Sequence, residues 1–386
     1  MNGRTPQAAA IGASLSGATL LVGVLYGLPV LRIAANRLVV GLPFAAADLP
    51  GWTIDAAAGL GAGGLLILGA VRGRAGAGLA VALLATALAL LVQALGAGAA
   101  ELIAGRPPAV RASLGSGAWL AVGVLGTSLA LAIRASRLPW LGPAVLGASA
   151  VLGTLAWQAG SLAALSLAVE YEARREVVGA ALGRHLLLSL GAVLLAGLVA
   201  ALLAAPRRGR GVVDLAVSGI QVVPAIALFG GLVALISGLL NAAPTLRDWG
   251  FSALGPAPAL LGTAAYLLLP LRRGLTAALD APDPAVLDAA TAMGLTPREI
   301  LMRIRLPLGA PILIGALRVA LVQSFGLATL GALVGAGGLG QVVFDGMAQF
   351  APDLILLGAI PIVLLSFAAD QALGVAEAGA RRRWPA

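Results

Sequence analysis

Residue types that perform covalent or acid–base chemistry are scarce in this chain of 386 residues: cysteine and lysine are absent, and histidine occurs once, as His185. That excludes thiolate nucleophiles, thiolate metal sites and the lysine with which phosphate-binding loops engage nucleotides. A lone histidine cannot build a metal centre with others of its kind, and His185 is expected as an interfacial residue at a helix end. Gly335, Gly337 and Gly340 fit the G-x-G-x-x-G spacing of dinucleotide sites. That motif needs a preceding strand in a βαβ unit, whereas these glycines follow an apolar run and suit a broken helix end with close packing. No catalytic residue, metal or cofactor is expected.

The other polar candidates sit inside apolar segments, where such groups are costly and therefore informative. Arg318 and Asp370 are the ionisable groups farthest inside theirs. They could pair in a structural or gating role; snorkelling by Arg318 alone is the alternative. Gln221 with Pro224, and Gln323 with Ser324, could place polar groups in a translocation path, Pro224 kinking its helix. Hydrogen bonding between helices is the alternative for these residues. Gly337 and Gly338 join the path candidates as part of an unwound segment covered by protein or water. Trp52, Trp119, Trp140, Trp249 and Trp384 fall near segment ends, as interfacial anchors do, and not in a cage for a cation.

The elements that must position these groups are membrane helices. Apolar residues make up 60% of the chain and charged ones 11%, with a mean hydropathy of +1.00. No water-soluble surface carries that composition, so lipid is the solvent and the class is an all-α integral membrane protein. The net charge of +9 does not imply nucleic acid, because the basic residues are all arginines lying mostly between apolar runs. A bilayer core of about 30 Å takes roughly 20 residues of helix. On that rule ten spans fall near residues 11–31, 52–71, 79–103, 116–133, 139–168, 185–205, 212–239, 256–279, 309–334 and 354–377. The first is read as a retained span, since it is too long for a signal-peptide core.

Arginine asymmetry sets the orientation. With both termini in the cytoplasm, sixteen arginines fall inside and eight outside, and Arg318 lies within a span. Arg32 and Arg37 sit on the unfavoured side of the first span. The mixed-charge stretch Glu170 to Arg184 divides the chain into an accessory amino-terminal part, residues 1–170, and a core, residues 180–380.

The longest inside loop, residues 280–307, reads DAPDPAVLDAATAMGLTPREILMRIRLP. It encodes two short helices. Asp283 is an N-cap followed by Pro284, Gly294 supplies a left-handed stop, and Thr296 with Glu299 has capping-box spacing. Pro307 is expected to close the second helix. Val286, Leu287, Ala290 and Met293 make one apolar face, and Ala289 beside Ala290 offers a low-profile docking surface. A helix lying on the lipid headgroups would share these features.

The loop resembles the EAA motif of ABC-importer permeases: Glu-Ala-Ala, three residues, Gly, nine residues, Ile, one residue, Leu-Pro. Asp288, Ala289, Ala290, Gly294, Ile304, Leu306 and Pro307 stand at those positions, with aspartate in place of glutamate. Segments Ile220 to Gly230 and Leu327 to Gly340 resemble permeases for glycine betaine, choline and carnitine, in the branch with an amino-terminal multi-span extension. The resemblance implies a five-helix type I permease core in a bacterial inner membrane, with the first short helix coupling to a separate ATPase. It also implies partners: ABC ATPase subunits, a second permease subunit, an extracytoplasmic substrate-binding protein and the surrounding lipid, with no nucleic acid. A permease for methionine or other amino acids shares much of this arrangement. The rival of another class is an ion-coupled secondary transporter, which would need an ion site near the bilayer midplane.

Overall fold

The computed structural model describes residues 4–36, 39–138, 140–204 and 210–384, and the chain forms two compact units, Met1–Ala173 and Arg174–Ala386. The expected inside residues Arg207 and Arg208, and Arg37, lie outside the described residues.

Unit 1 contains α1 (Arg4–Gly27), α2 (Thr53–Ala70), α3 (Arg74–Ile103), α4 (Ser116–Ser136), α5 (Leu141–Gln158) and the short α6 (Ser166–Ala173). Its sequence is rich in alanine and glycine because its helices touch at very short range. A Cβ on Gly61 of α2 would lie 2.6 Å from Leu21 of α1 and 2.9 Å from Leu125 of α4. Small residues are how membrane helices approach closely without a hydrophobic drive between them. One detail departs from the all-helical expectation: β1 (Leu31–Ala34), β2 (Leu42–Phe44) and β3 (Arg111–Leu114) form an antiparallel sheet in the order β2-β1-β3. The apolar run placed in the first span to residue 31 therefore ends as helix at Gly27. Beyond Pro29 the chain pairs as a strand, alternating buried Leu31 and Ile33 with half-buried Arg32.

Unit 2 contains α7 (Arg175–Ala204), α8 (Arg210–Val222), α9 (Ala225–Ala242), α10 (Thr245–Asp248), α11 (Pro256–Leu279), α12 (Pro284–Ala292), α13 (Pro297–Ile300), α14 (Leu306–Leu330), α15 (Leu339–Ala348) and α16 (Pro352–Arg383). Helix α11 packs between α7 and α14, and α14 packs on α16. The α11–α14 seam again depends on an absent side chain, since a Cβ on Gly274 would stand 2.1 Å from Ala316 Cβ.

Among the described residues nine helices are long and apolar enough to cross a membrane. Helix α11 has the length, 24 residues, but three prolines with Arg272 and Arg273 lower its hydropathy. The run expected as a single span over 212–239 is two helices, with the break at Val223 and Pro224.

Candidate functional site

The loop between α11 and α14 is built from caps. Asp283 Oδ1 accepts a hydrogen bond from the Ala285 amide at 2.8 Å, and Pro284 begins α12. Helix α12 ends in a Schellman turn: the Leu295 amide donates to the Ala290 carbonyl at 3.1 Å, and the Gly294 amide to the Thr291 carbonyl at 2.9 Å. That turn needs the left-handed φ of +82° at Gly294, which costs a glycine nothing. Thr296 and Glu299 then close a reciprocal capping box at the start of α13.

Pro307 does not end the helix. Residues Leu301–Arg305 form a π-turn in which the Leu306 amide donates to the carbonyl of Leu301, and the chain continues directly into α14. A proline inside a regular helix removes a donor and crowds the carbonyl four residues back. The wider turn just ahead of Pro307 shifts the register and relieves both problems. Ile304 lies in this turn, and Leu306 and Pro307 open α14, all three half-buried. The helical path therefore runs unbroken from Pro297 into the membrane.

The single apolar face expected on α12 is split. Ala290 is 1% exposed and turned, with half-buried Leu287, toward the chain's own surface. Val286 at 45%, Ala289 and Met293 at 73% make a separate outward stripe beside exposed Asp288. The i, i+3, i+7 spacing puts those three on one line. Arg305, which the motif reading passed over, clasps the two ends of the loop. Its Nη1 donates to the Leu279 carbonyl and lies 3.9 Å from Asp280 Oδ1. Only the fold reveals this contact, because its partners lie 25 and 26 residues away.

The path candidates separate into two groups. At the break between α8 and α9, Gln221 Nε2 donates to the Tyr266 carbonyl at 2.6 Å, and Tyr266 Oη donates to the Val223 carbonyl. Pro270 in α11 has no amide to offer Tyr266, four residues earlier, so the Gln221 amide supplies the missing donor. Gln221 and Tyr266 thus stitch two proline defects together, and Pro224 breaks its helix where a kink was expected. Nearby, Arg272 is 3% exposed and ion-paired with Asp214 of α8, so it serves as an internal tie in place of the loop charge expected.

Ser324 is also turned inward, with its Oγ donating to the Leu321 carbonyl at 2.7 Å. His185 is fully buried ten residues into α7, not at a helix end, with Nε2 3.1 Å from the Phe325 carbonyl. Burial is possible there because Gly338 lets the loop lie on the ring; a Cβ would meet His185 Nδ1 at 3.4 Å. Gly337 similarly accommodates Arg184.

The second group converges. Arg318 of α14 makes a bidentate pair with Asp370 of α16, Nε to Oδ1 at 2.6 Å and Nη2 to Oδ2 at 2.8 Å. Glu377, seven residues or about two turns further along the same face of α16, stands 3.7 Å from Arg318 Nη1 and is itself bound by Arg381 at 2.7 Å. Arg318, Asp370, Glu377 and Gln323 line one cavity of about 670 Å³, while Arg381 holds Glu377 from outside that lining. Glu377 was not singled out from the sequence, and Arg381 counted there only among the inside arginines.

Similarity to known proteins follows the division into units. Residues 193–382 match the family described as the binding-protein-dependent transport system inner membrane component, and residues 10–168 match the amino-terminal domain of the ABC transporter permease YehY. The choline transport system permease protein OpuBB of Bacillus subtilis is 29% identical over 197 residues, covering 50% of this chain and 83% of that protein. The glycine betaine/carnitine/choline transport system permease protein OpuCD of the same organism is 34% identical over 199 residues, 50% of this chain and 80% of that one. A solved inward-facing structure of the MetNI methionine ABC transporter aligns with 53% of this chain and 98% of its own, at 22% identity and a TM-score of 0.44.

Proposed function

Because this chain belongs to the inner-membrane permeases of binding-protein-dependent transport systems, we propose that it carries osmoprotectants such as choline, glycine betaine or carnitine across the membrane, driven by a separate ATPase. It is a multi-pass inner-membrane subunit. In this reading both termini are cytoplasmic. A second permease, either another copy or a paralogue, completes the path, and an extracytoplasmic binding protein delivers the solute.

The observation that carries the coupling role is the construction of the 280–307 loop. Helix α12 is capped at both ends, its loop is clasped by Arg305, and α13 continues through the π-turn into α14. A push on the outward stripe of Val286, Ala289 and Met293 is therefore delivered to a membrane helix as a rigid displacement, where a flexible loop would absorb it. Asp288 adds one negative charge beside that stripe for a partner's basic group. Residues 174–384 would form the transport core in this scheme, and residues 4–173 an accessory membrane unit.

The test is uptake of labelled glycine betaine and choline into vesicles containing the chain and its co-purified partners. ATP-dependent uptake, together with crosslinking from Ala289→Cys to the ATPase, is the expected result. Uptake driven by an ion gradient without ATP would favour the secondary-transporter reading and overturn this one.

A further inference from the structure

From the cavity between α14 and α16 we infer that Arg318, Gln323, Asp370 and Glu377 form a solute subsite within the permease, matched to a dipolar solute carrying both an ammonium group and a carboxylate. The inference rests on the osmoprotectant reading and adds the chemical class that this chain itself selects.

Location comes first. Arg318 lies nine residues into the span expected from residue 309, about 14 Å along the helix axis. Charges at that depth are tolerated where they face water or a polar ligand and not lipid. The space is a groove open on one side, of about 670 Å³, large enough to admit a small solute.

The charges balance. Arg318, Asp370 and Glu377 line the cavity, and Arg381, bound to Glu377 from outside the lining, brings the cluster to two positive and two negative groups. A site with no net charge gives a lone cation or anion no long-range attraction. It can, however, satisfy both ends of a net-neutral solute at short range.

Two bonding positions are also weakly held. Nε and Nη2 of Arg318 are taken by Asp370, while Nη1 faces Glu377 Oε2 at 3.7 Å, too far for a hydrogen bond. Arg381 occupies the other oxygen, Oε1. This long ion pair, without a hydrogen bond, is the most weakly held contact of the cluster, and its donor and acceptor stand side by side at the cavity wall. Arg318 Nη1 and the Gln323 amide suit a carboxylate. The Glu377 oxygen suits a quaternary ammonium, whose methyl groups can rest on Val319 and Val322.

The helices are shaped to hold this arrangement. Gly374 of α16 lies under the guanidinium, so that a Cβ there would touch Arg318 Cζ and Nη1 at 3.5 Å. Gly315 of α14 lies under the Glu377 carboxylate, with all three of its terminal atoms at 3.7 Å from such a Cβ. Arg318 and Glu377 therefore each have a glycine opposite them on the facing helix. Because α14 is continuous with the loop that carries α12, movement of that loop would shift one wall of the cavity against the other.

The experiment is equilibrium binding to the purified full-length chain in lipid nanodiscs, with glycine betaine and choline as probes. The expected result is binding of glycine betaine at least about tenfold tighter than choline, which lacks the carboxylate. Glu377→Gln and Arg318→Gln should each weaken glycine betaine by about tenfold or more. Val319→Trp fills the cavity from a position 56% exposed, so it tests the site without disturbing the packed interior. It should weaken binding as well, with monodisperse elution confirming the fold of every variant. Equal binding of both probes, no binding of either, or unchanged binding in all three variants would overturn the subsite. Cellular uptake by the unmodified chain is read separately: uptake without the expected binding pattern rejects the subsite alone, and absence of all uptake rejects the transport reading.

Discussion

In unit 1 one apolar cluster extends from Ala18 of α1 to Ala132 of α4, whereas the described interior of unit 2 is divided into smaller clusters around Phe229, Leu267 and Leu268. Between and beside those clusters lie His185, Ser189, Arg272 and Ser324, all buried, and the half-buried network of Arg318, Asp370 and Glu377. A continuous apolar core has one good packing and resists displacement. Polar ties between separate clusters can be exchanged for other partners, including a solute, as the clusters move. Unit 1 also buries Ser128, Ser136, Ser166 and Glu170, so the difference lies in the continuity of its apolar cluster. From that continuity we propose that unit 1 moves as a fixed body while unit 2 changes shape.

The largest effect is expected at the 280–307 loop. Replacing Pro284–Ala292 with a glycine-serine tether should reduce uptake at least about hundredfold, the equivalent of ~2.7 kcal/mol in coupling, while membrane insertion measured by fractionation stays normal. Unchanged uptake would remove the mechanical distinction between the units. The opposite behaviour is expected for Gly61→Val in unit 1. Its side chain collides with Leu21 and Leu125, so stability should fall by about 1–3 kcal/mol. Folded yield from fluorescence-detected chromatography should drop, with transport per folded molecule unaltered.

Smaller effects sharpen the contrast within unit 2. Gln221→Leu leaves the Tyr266 carbonyl without the donor that Pro270 cannot supply, which should cost about 1–3 kcal/mol. A lowered thermal midpoint checks it. Asp283→Ala removes one cap of α12, about 1 kcal/mol, and should show as a modest fall in ATP-dependent uptake with normal expression. Finally, Arg318→Ala, Asp370→Ala and the double variant should be non-additive in uptake, the double losing less than the product of the single losses. Strict additivity would mean that the pair seen in the fold has no energetic meaning.

Much of the loop was legible because its signals are local. Asp283, Pro284, Gly294, Thr296 and Glu299 act on amides no more than a few residues away, so spacing alone locates the caps. Pro307 misled for a related reason. Its usual effect is helix termination, and the compensating π-turn depends on how Leu301–Arg305 sit against α11. The short sheet of unit 1 was illegible because Leu31–Ala34 is as apolar as the helix before it. Only pairing with β2 and β3, the latter 80 residues away, makes it a strand.

The sequence by itself determined the solvent, most of the helices and the caps of the 280–307 loop, since each follows from composition or from contacts within one turn. Tertiary structure decided which polar residues meet. Gln221 was committed to a backbone carbonyl of α11, Ser324 and His185 were turned into the interior, and Arg318, Gln323, Asp370 and Glu377 were gathered around one cavity. The physical reason is that partner choice among buried polar groups is set by the register of two packed helices. A one-residue turn of α16 would leave Arg318 facing a different side chain without altering any local pattern in the sequence.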